Sequence, residues 1–239
     1  MSKNILLVMA MLDEASPIIK EHSFQHMGKL KEPFTLEHYL GKIHNTRVNL
    51  LVNGKCNVHG IDQIGTQVST LSTYLGAEMF KPTIIINAGT AGGFLSDNAK
   101  IGDTYLGYPN VYYHDRRINL PGFKEYGFGC YPTFDCRAMA SELGLRLGII
   151  TTGNSLDFTE KDMELIKHNQ GVVKDMEAAS IAWVANQFGI PYVGIKTITD
   201  IVDGSTPTEE EFILNLKLAS HNLAEKTTEV ISWLAAHGY

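Results

Sequence analysis

The sequence has few cysteines, no long apolar run and no excess of basic residues. Its three cysteines, Cys56, Cys130 and Cys136, form no CxxC pair and are odd in number, which is typical of a reducing compartment and gives no metal-site signature. The apolar run from Ile5 to Leu12 meets Asp13 and Glu14 directly, so it is too short for a membrane span or a signal peptide. We therefore expect a cytoplasmic protein that does not enter a membrane.

The charge balance excludes a broad class of partners. The chain has 20 Lys and Arg against 26 Asp and Glu, a net charge of -6, whereas nucleic acids and anionic membranes bind basic surfaces. A small neutral substrate fits this charge better. With 239 residues, 44% of them hydrophobic and 19% charged, the composition is that of a globular enzyme, and we expect a single domain over residues 1–239.

Apolar patterning predicts alternating strands and helices. Buried strands are predicted at 4–9, 83–88, 145–151 and 192–199, a hairpin at 36–43 and 47–52, and more sheet over 101–111. Apolar residues three and four apart predict a helix over 61–75 with one buried face. Thr159 is a predicted N-cap for a helix over 160–168, and a long helix follows Pro207. This order predicts an α/β fold, a three-layer α/β/α sandwich with a mixed central β-sheet.

The stretch from Gly171 to Asp203 organises the rest of the chain. A short apolar segment leads to the acidic turn 175–177, a helix follows that ends at Gly189, and the strand over 192–199 ends on Asp200. Glu177 and Asp200 thus lie at opposite ends of one strand-helix-strand unit. Carboxylates near strand ends face the side of an open α/β sheet where ligands bind, and Glu14 falls just beyond the end of the first strand.

Acids in this pattern favour acid/base chemistry over two other kinds of catalysis. The chain has no GxSxG nucleophile motif and no CxxC metal motif. Paired carboxyls are instead typical of bond cleavage through a cation-like transition state, as in glycoside hydrolysis. Each acid also has an ordinary structural interpretation: Asp200 as a turn cap, Glu177 as a favourable charge in the first turn of a helix, and Glu14 as a surface carboxylate.

A glycine-rich segment after the strand over 83–88, Gly89-Thr90-Ala91-Gly92-Gly93, is predicted to be a turn. Glycines there let backbone amides approach a ligand closely. A tight turn without any ligand remains open at this point.

Five motifs together resemble one family. NAGTAGG, GNSLDF, KDMEAAS and TITDIVDG, with the early AMLDEA, are similar to the 5′-methylthioadenosine/S-adenosylhomocysteine nucleosidases of the nucleoside phosphorylase superfamily. The HDRR segment at 114–117 and the GNSLDF variant resemble the plant-type branch. The resemblance covers Ile5 to about Leu234 and implies a nucleoside phosphorylase-like fold and hydrolysis of an N-glycosidic bond, with neither an organic cofactor nor a metal.

The resemblance also implies a role for each matched residue. Asp200 matches the general acid that protonates N7 of adenine, which requires a raised pKa. Glu14 matches the carboxylate that activates water, and Glu177 the residue that binds the ribose hydroxyls. The implied binding residues are Met176 at the ribose, Thr90 and Lys196 near the water, Leu156 and Asp157 at the purine with Thr199 beside the acid, and Met11 at the 5′ group.

Three positions depart from the bacterial members of that family. Leu156 stands where they have Phe, Asn154 where they have Asp, and Lys196 where they have Arg, so purine binding is expected to differ. The resemblance further implies a homodimer in which a loop of the partner, residues 108–123, completes the 5′ pocket. A purine nucleoside phosphorylase and a non-catalytic purine-nucleoside binding protein are the alternatives, and S-adenosylhomocysteine and futalosine stay open as substrates.

Overall fold

The computed structural model describes residues 3–238. Its strands are β1 (Asn4–Met9), β2 (Gln25–Lys29), β3 (Glu37–Ile43), β4 (Thr46–Val52), β5 (Ile84–Gly93), β6 (Thr104–Tyr113), β7 (Tyr131–Pro132), β8 (Arg146–Thr152), β9 (Gly171–Asp175) and β10 (Tyr192–Ile201). Its helices are α1 (Leu12–Glu21), α2 (Thr66–Phe80), α3 (Lys124–Phe128), α4 (Arg137–Leu143), α5 (Glu160–His168), α6 (Ala178–Phe188) and α7 (Thr208–His237).

All ten strands belong to one mixed sheet, whose order is β10, β6, β8, β9, β5, β1, β4, β3, β2, with β7 beside β6. Strand β10 also pairs with β5 in parallel. Since β9 pairs with β5 as well, the strands β5, β10, β6, β8 and β9 close into a ring. The open part of the sheet runs from β1 out to the β3–β4 hairpin and β2.

Helices cover both faces of the sheet. In β1, Ile5, Leu7 and Met9 belong to one buried cluster, which includes residues of α1, α4 and α7. Leu6 and Val8 belong to the other, which includes residues of α2 and α6. This alternation is the period of two expected of a strand that is buried on both faces. The three-layer α/β/α sandwich and the mixed sheet predicted from the sequence are confirmed.

Most predicted elements are confirmed, but the helix over 61–75 is wrong at its start. Helix α2 begins at Thr66, and Ile61 and Ile64 are 64% and 47% exposed instead of buried on a helix face. Gly65 has a φ of +99°, a conformation that glycine adopts without strain and that separates the segment 61–65 from the helix. Strand β2 was not predicted. Four of its five residues are exposed, and its mostly polar sequence lacks the apolar alternation that indicates a strand.

The glycine-rich segment is a strand and not a turn. Strand β5 continues to Gly93, and β10 continues beyond the predicted 192–199 to Ile201, so the two strands pair along their whole length. Gly92 lies opposite Asp200, and the register shifts between Ile198 and Asp200. A Cβ atom on Gly92 would lie 2.7 Å from Oδ2 of Asp200. The absent side chain therefore makes room for a carboxyl group inside the sheet.

Candidate active site

One cavity opens where β1, β5, β9 and β10 end. It has a volume of about 290 Å³, and acidic, apolar and hydroxyl side chains share its wall. Its lining consists of Ala10, Met11, Glu14, Ile61, Asp62, Ile64, Thr90, Ala91, Gly92, Leu156, Lys174, Asp175, Met176, Glu177, Thr199, Asp200, Val202 and Phe212. The three predicted acids thus meet in one cavity at the carboxyl ends of strands, where open α/β sheets bind ligands.

Glu14 is held from two sides. It lies in the first turn of α1 and is 3% exposed. Oε1 accepts the backbone N–H of Thr90 at 2.7 Å and its hydroxyl at 2.6 Å, and Oε2 accepts the N–H of Met11 at 3.2 Å. Burial raises the pKa of Glu14, while these hydrogen bonds oppose the rise because they favour the ionised form. These partners on two sides fix the orientation of the Glu14 carboxyl group in the cavity wall.

Asp200 lies inside β10 and is 3% exposed. The hydroxyl of Thr199 donates to its Oδ1 at 2.7 Å. Burial raises the pKa of Asp200 above its usual range, and the hydrogen bond from Thr199 and the positive charge of Lys174 only partly offset that rise. The direction is the one that a proton donor near neutral pH requires, and it agrees with the expectation from the sequence.

Glu177 connects the acidic turn to the segment 61–65. It is the N-cap residue of α6, and its Oε1 accepts the N–H of Gly65 at 2.9 Å. Burial raises the pKa of Glu177 to about 7 even though Lys196 opposes the rise. The hydrogen bond places the wall formed by Ile61 and Ile64 directly beside this carboxyl.

Lys196 and Asp175 form a buried ion pair behind the cavity. Lys196 Nζ lies 2.7 Å from Asp175 Oδ2, and both side chains are fully buried. Asp175 also accepts the hydroxyl of Thr152 at 2.5 Å and the N–H of Ala178 at 2.8 Å. Burial alone lowers the pKa of Lys196, but the neighbouring carboxyls Asp175, Glu177 and Glu14 outweigh it and hold the pKa above its usual range. Lys196 therefore remains charged.

The cavity contains most, but not all, of the predicted site residues. Met11, Glu14, Thr90, Leu156, Met176, Glu177, Thr199 and Asp200 line it. Asp157 is exposed outside the lining, and Lys196 contributes its charge from behind the wall instead of lining it. Asn154 is also outside: its Oδ1 accepts the N–H and the hydroxyl of Thr66, both at 2.9 Å. The Asn at this position thus ties a loop to the start of α2.

Two classes of feature are absent from residues 3–238. No group of three or more His, Cys, Asp or Glu side chains in that range is arranged to hold a metal ion. Across the same residues, every helix is too short or too polar to cross a membrane.

Comparison with known proteins places the chain in a family. The family model described as the phosphorylase superfamily matches residues 4–232. The chain belongs to the phosphorylase superfamily. It is 39% identical over 236 residues to a 5′-methylthioadenosine nucleosidase of Arabidopsis thaliana, with 97% of this chain and 87% of that protein covered. It is 38% identical over 235 residues to a 5′-methylthioadenosine/S-adenosylhomocysteine nucleosidase of the same plant, with 97% and 91% covered.

A solved structure agrees with this membership of the phosphorylase superfamily. The structure of the A. thaliana 5′-methylthioadenosine nucleosidase in apo form superposes with a TM-score of 0.96 at 37% identity, covering 99% of this chain and 98% of that one. The resemblance to the plant-type nucleosidases, predicted from the five motifs, is confirmed.

The cavity of this phosphorylase superfamily member includes residues that the sequence did not indicate. The spacing of Ile61 and Ile64 predicts a buried helix face, and no sequence pattern singles out Asp62 between them. Lys174 directly precedes the acidic turn 175–177 and Asp175 begins it, yet only the folded sheet brings Lys174 opposite Gly92 and Asp175 against Lys196. One sequence signal was available for Lys174 and Asp175. They are two adjacent charged residues at the end of an apolar strand, and charged residues at such buried positions need partners.

Proposed function

We propose that this protein hydrolyses the N-glycosidic bond of 5′-methylthioadenosine, releasing adenine and 5-methylthioribose. The observation that carries the proposal is the meeting of Asp200, Glu14 and Glu177 in one cavity with burial raising the pKa of each. Perturbed acids in a cleft indicate acid/base catalysis. The full-length similarity to plant nucleosidases of that name supports the choice of substrate.

The proposed reaction uses each acid once. Asp200 gives its proton to N7 of adenine, so the base accepts the electron pair of the breaking C1′–N9 bond and leaves as neutral adenine. The oxygen of a water molecule bonds to C1′, and Glu14, fixed by Thr90 and Met11, takes the proton that this water releases. Water is the co-substrate that completes this balance.

Glu177 is proposed to bind the ribose hydroxyls, with Met176 beside it. Positive charge develops on the sugar as the bond to the base breaks, and a carboxylate close to that charge stabilises the transition state more than the substrate. Because burial raises the pKa of Glu177 to about 7 and Lys196 opposes the rise, Lys196 supports the ionised form from behind the wall. We propose that one domain supplies all of these groups.

Water is favoured over phosphate as the nucleophile. Phosphate pockets are typically built with arginines, whose planar group pairs with two oxygens of the anion. The cavity lining contains no arginine and a single lysine, Lys174, against four acids, Glu14, Asp62, Asp175 and Glu177, in addition to the proton donor Asp200. These carboxyls repel an incoming anion.

The test is adenine release from 5′-methylthioadenosine in phosphate-free buffer and again with millimolar phosphate, followed by chromatography. We expect free 5-methylthioribose at the same rate in both buffers. Turnover that requires phosphate and yields the sugar 1-phosphate would show a phosphorylase instead. Binding without turnover would show a purine-nucleoside binding protein. S-adenosylhomocysteine and futalosine, assayed in parallel, determine which 5′ groups the cavity admits.

We also propose that the protein is a cytoplasmic homodimer in which residues 108–123 of the partner complete the 5′ side of the cavity. The family resemblance implies a loop there, but residues 108–113 are the end of β6 and only the rest of the segment is loop. The segment contributes nothing to the lining of its own cavity, yet Leu120 and Phe123 at its end are 59% and 47% exposed. Ile61 in the cavity wall is exposed as well. Burial of such apolar groups against a second copy is favourable by about 25 cal/mol per Å².

The cytoplasmic location is supported separately by the three free cysteines, which are consistent with a reducing compartment.

The dimer is tested with Leu120→Glu, which places a charge on the exposed apolar loop. We expect analytical ultracentrifugation to show a weaker dimer than the wild type and the KM for 5′-methylthioadenosine to rise. Met79→Glu is the matched control, because Met79 is also an exposed apolar residue but lies outside the cavity and its rim. A wild-type monomer with full activity at micromolar concentration would contradict the proposal.

A further inference from the structure

Lys174, to which the reaction above gives no role, is a buried cation in the cavity wall. It precedes the last residue of β9, is 5% exposed and lines the cavity together with Asp200. Its Nζ donates to the carbonyl oxygen of Ser155 at 2.8 Å and to that of Leu156 at 2.9 Å. Two of the three N–H groups of the ammonium thus hold the backbone of residues 153–159, which we call the 153–159 loop.

The 153–159 loop depends on such external partners. It contains no helix or strand, so its backbone groups are not paired with one another as they are in regular structure. On its other side Asp115 accepts the N–H of Asn154 at 2.7 Å, and Asn154 in turn accepts from Thr66. Lys174 is therefore the contact that fixes the part of the loop next to the cavity, including Leu156 in the wall.

The charge of Lys174 acts on several neighbours. Burial lowers the pKa of Lys174, and the carboxyls Asp200 on β10, Asp175 on β9, Asp157 in the loop and Asp162 on α5 oppose that change. Nearby His114 is neutral, because burial and then Lys174 lower its pKa to about 4. On Asp200, the attraction of Lys174 opposes the effect of burial, whereas Glu211 on α7 adds to it. Lys174 and Asp200 line the same cavity, and the charge of Lys174 favours the ionised form of this carboxyl.

We propose that Lys174 is a positioning residue of the site: its ammonium fixes the 153–159 loop against the bound purine and supplies the positive charge that acts on the carboxyl of Asp200. This inference rests on the proposed function, because it assumes that a purine lies between the loop and Asp200. It adds a residue that sets both the affinity for the base and the pH range over which Asp200 retains its proton.

The test compares Lys174→Met, which removes the charge and the donors, with Lys174→Arg, which keeps both. In Lys174→Met the ionised form of Asp200 loses its cation, so its pKa rises and the alkaline limb of kcat/KM moves upward by about one pH unit. Loss of the charged hydrogen bonds to the loop raises KM and the Kd for adenine about tenfold. Lys174→Arg brings the alkaline limb, KM and the Kd for adenine back toward their wild-type values. Lys167→Met, the same change on the exposed face of α5, leaves all three unchanged.

Each result decides one question. If Lys174→Met lowers activity equally at all pH values and leaves the alkaline limb in place, Lys174 is structural only and the inference is wrong. If Lys174→Met does not fold, Lys174→Gln is measured in its place with the same expected shift of the limb. If the wild type does not cleave 5′-methylthioadenosine, the proposed function fails, and calorimetry with adenine then tests Lys174 alone: an unchanged Kd in Lys174→Met overturns its role.

Discussion

Asp200→Asn is expected to lower kcat for adenine release from 5′-methylthioadenosine by about 10³-fold, within the range typical of a lost general acid. Asn retains an oxygen that can accept the Thr199 hydroxyl, which lies 2.7 Å from Oδ1, and its N–H₂ group still donates a hydrogen bond toward N7. It has no proton to transfer. Binding of the nucleoside, measured by calorimetry, should therefore change far less than turnover.

Unfolding does not explain such a loss. In the folded protein the pKa of Asp200 is raised, so its carboxyl contributes most stability below its unfolded pKa near 3.8 and loses that contribution as the pH rises. Asn resembles the protonated form and avoids this loss, so the variant should be at least as stable as the wild type at pH 7.5. Asp203→Asn is the matched control: Asp203 is exposed and accepts the N–H of Leu95 at 2.7 Å, a bond that Asn can keep. Full activity in Asp200→Asn would show that another group protonates the base.

The sequence predicted that the acids lie close together because each is near the end of an apolar strand, and parallel strands end at a common edge. Glu14 and Asp200 fit this rule because β1, β5 and β10 run in parallel. Glu177 joins them through the loop after β9, which pairs antiparallel with β5. The local pattern therefore predicted that Glu14 and Asp200 lie close together, whereas the position of Glu177 depends on the pairing of β9 with β5.

The wall of the cavity was less predictable. Ile61 and Ile64 are spaced as in a buried helix face, but a purine-sized cavity rim needs apolar residues too, and spacing alone does not separate the two. In the structure the φ of +99° at Gly65 interrupts the helical pattern, so α2 begins at Thr66 and leaves Ile61 and Ile64 outside it. Similarly, the segment 89–93 is predicted to be a turn because glycine is rare inside strands. Its glycines serve close packing instead, since Gly92 gives room to Asp200.

Partners across strands were the least predictable feature. The ion pair between Asp175 and Lys196 joins the end of β9 to the middle of β10, and no local pattern reports which strands become neighbours. The family resemblance implies that Lys196 lies near the attacking water. In the structure Lys196 also balances three buried carboxyls, Asp175, Glu177 and Glu14.

Lys196→Met is accordingly expected to destabilise the fold by about 3–5 kcal/mol, the typical cost of removing one partner of a buried ion pair. Asp175→Asn is expected to cost less, because Lys196 would still face Glu177 and Glu14. Without Lys196, by contrast, three buried acids have lost the cation that they share. Urea unfolding of both variants and of the double variant gives the two costs and the coupling between them.

The destabilisation by Lys196→Met should also depend on pH. Lys196 opposes the rise in the pKa of Glu177, which is already about 7 against 4.5 for the free side chain, so its removal raises this pKa further. A carboxyl with a raised pKa stabilises the fold fully below its unfolded pKa and loses that contribution as the pH rises toward the folded value. Lys196→Met should therefore lose less stability at pH 5 than at pH 8. Equal losses at both pH values, or a larger cost for Asp175→Asn, would show that the pair acts through packing and not through the charge shared with the acids of the cavity.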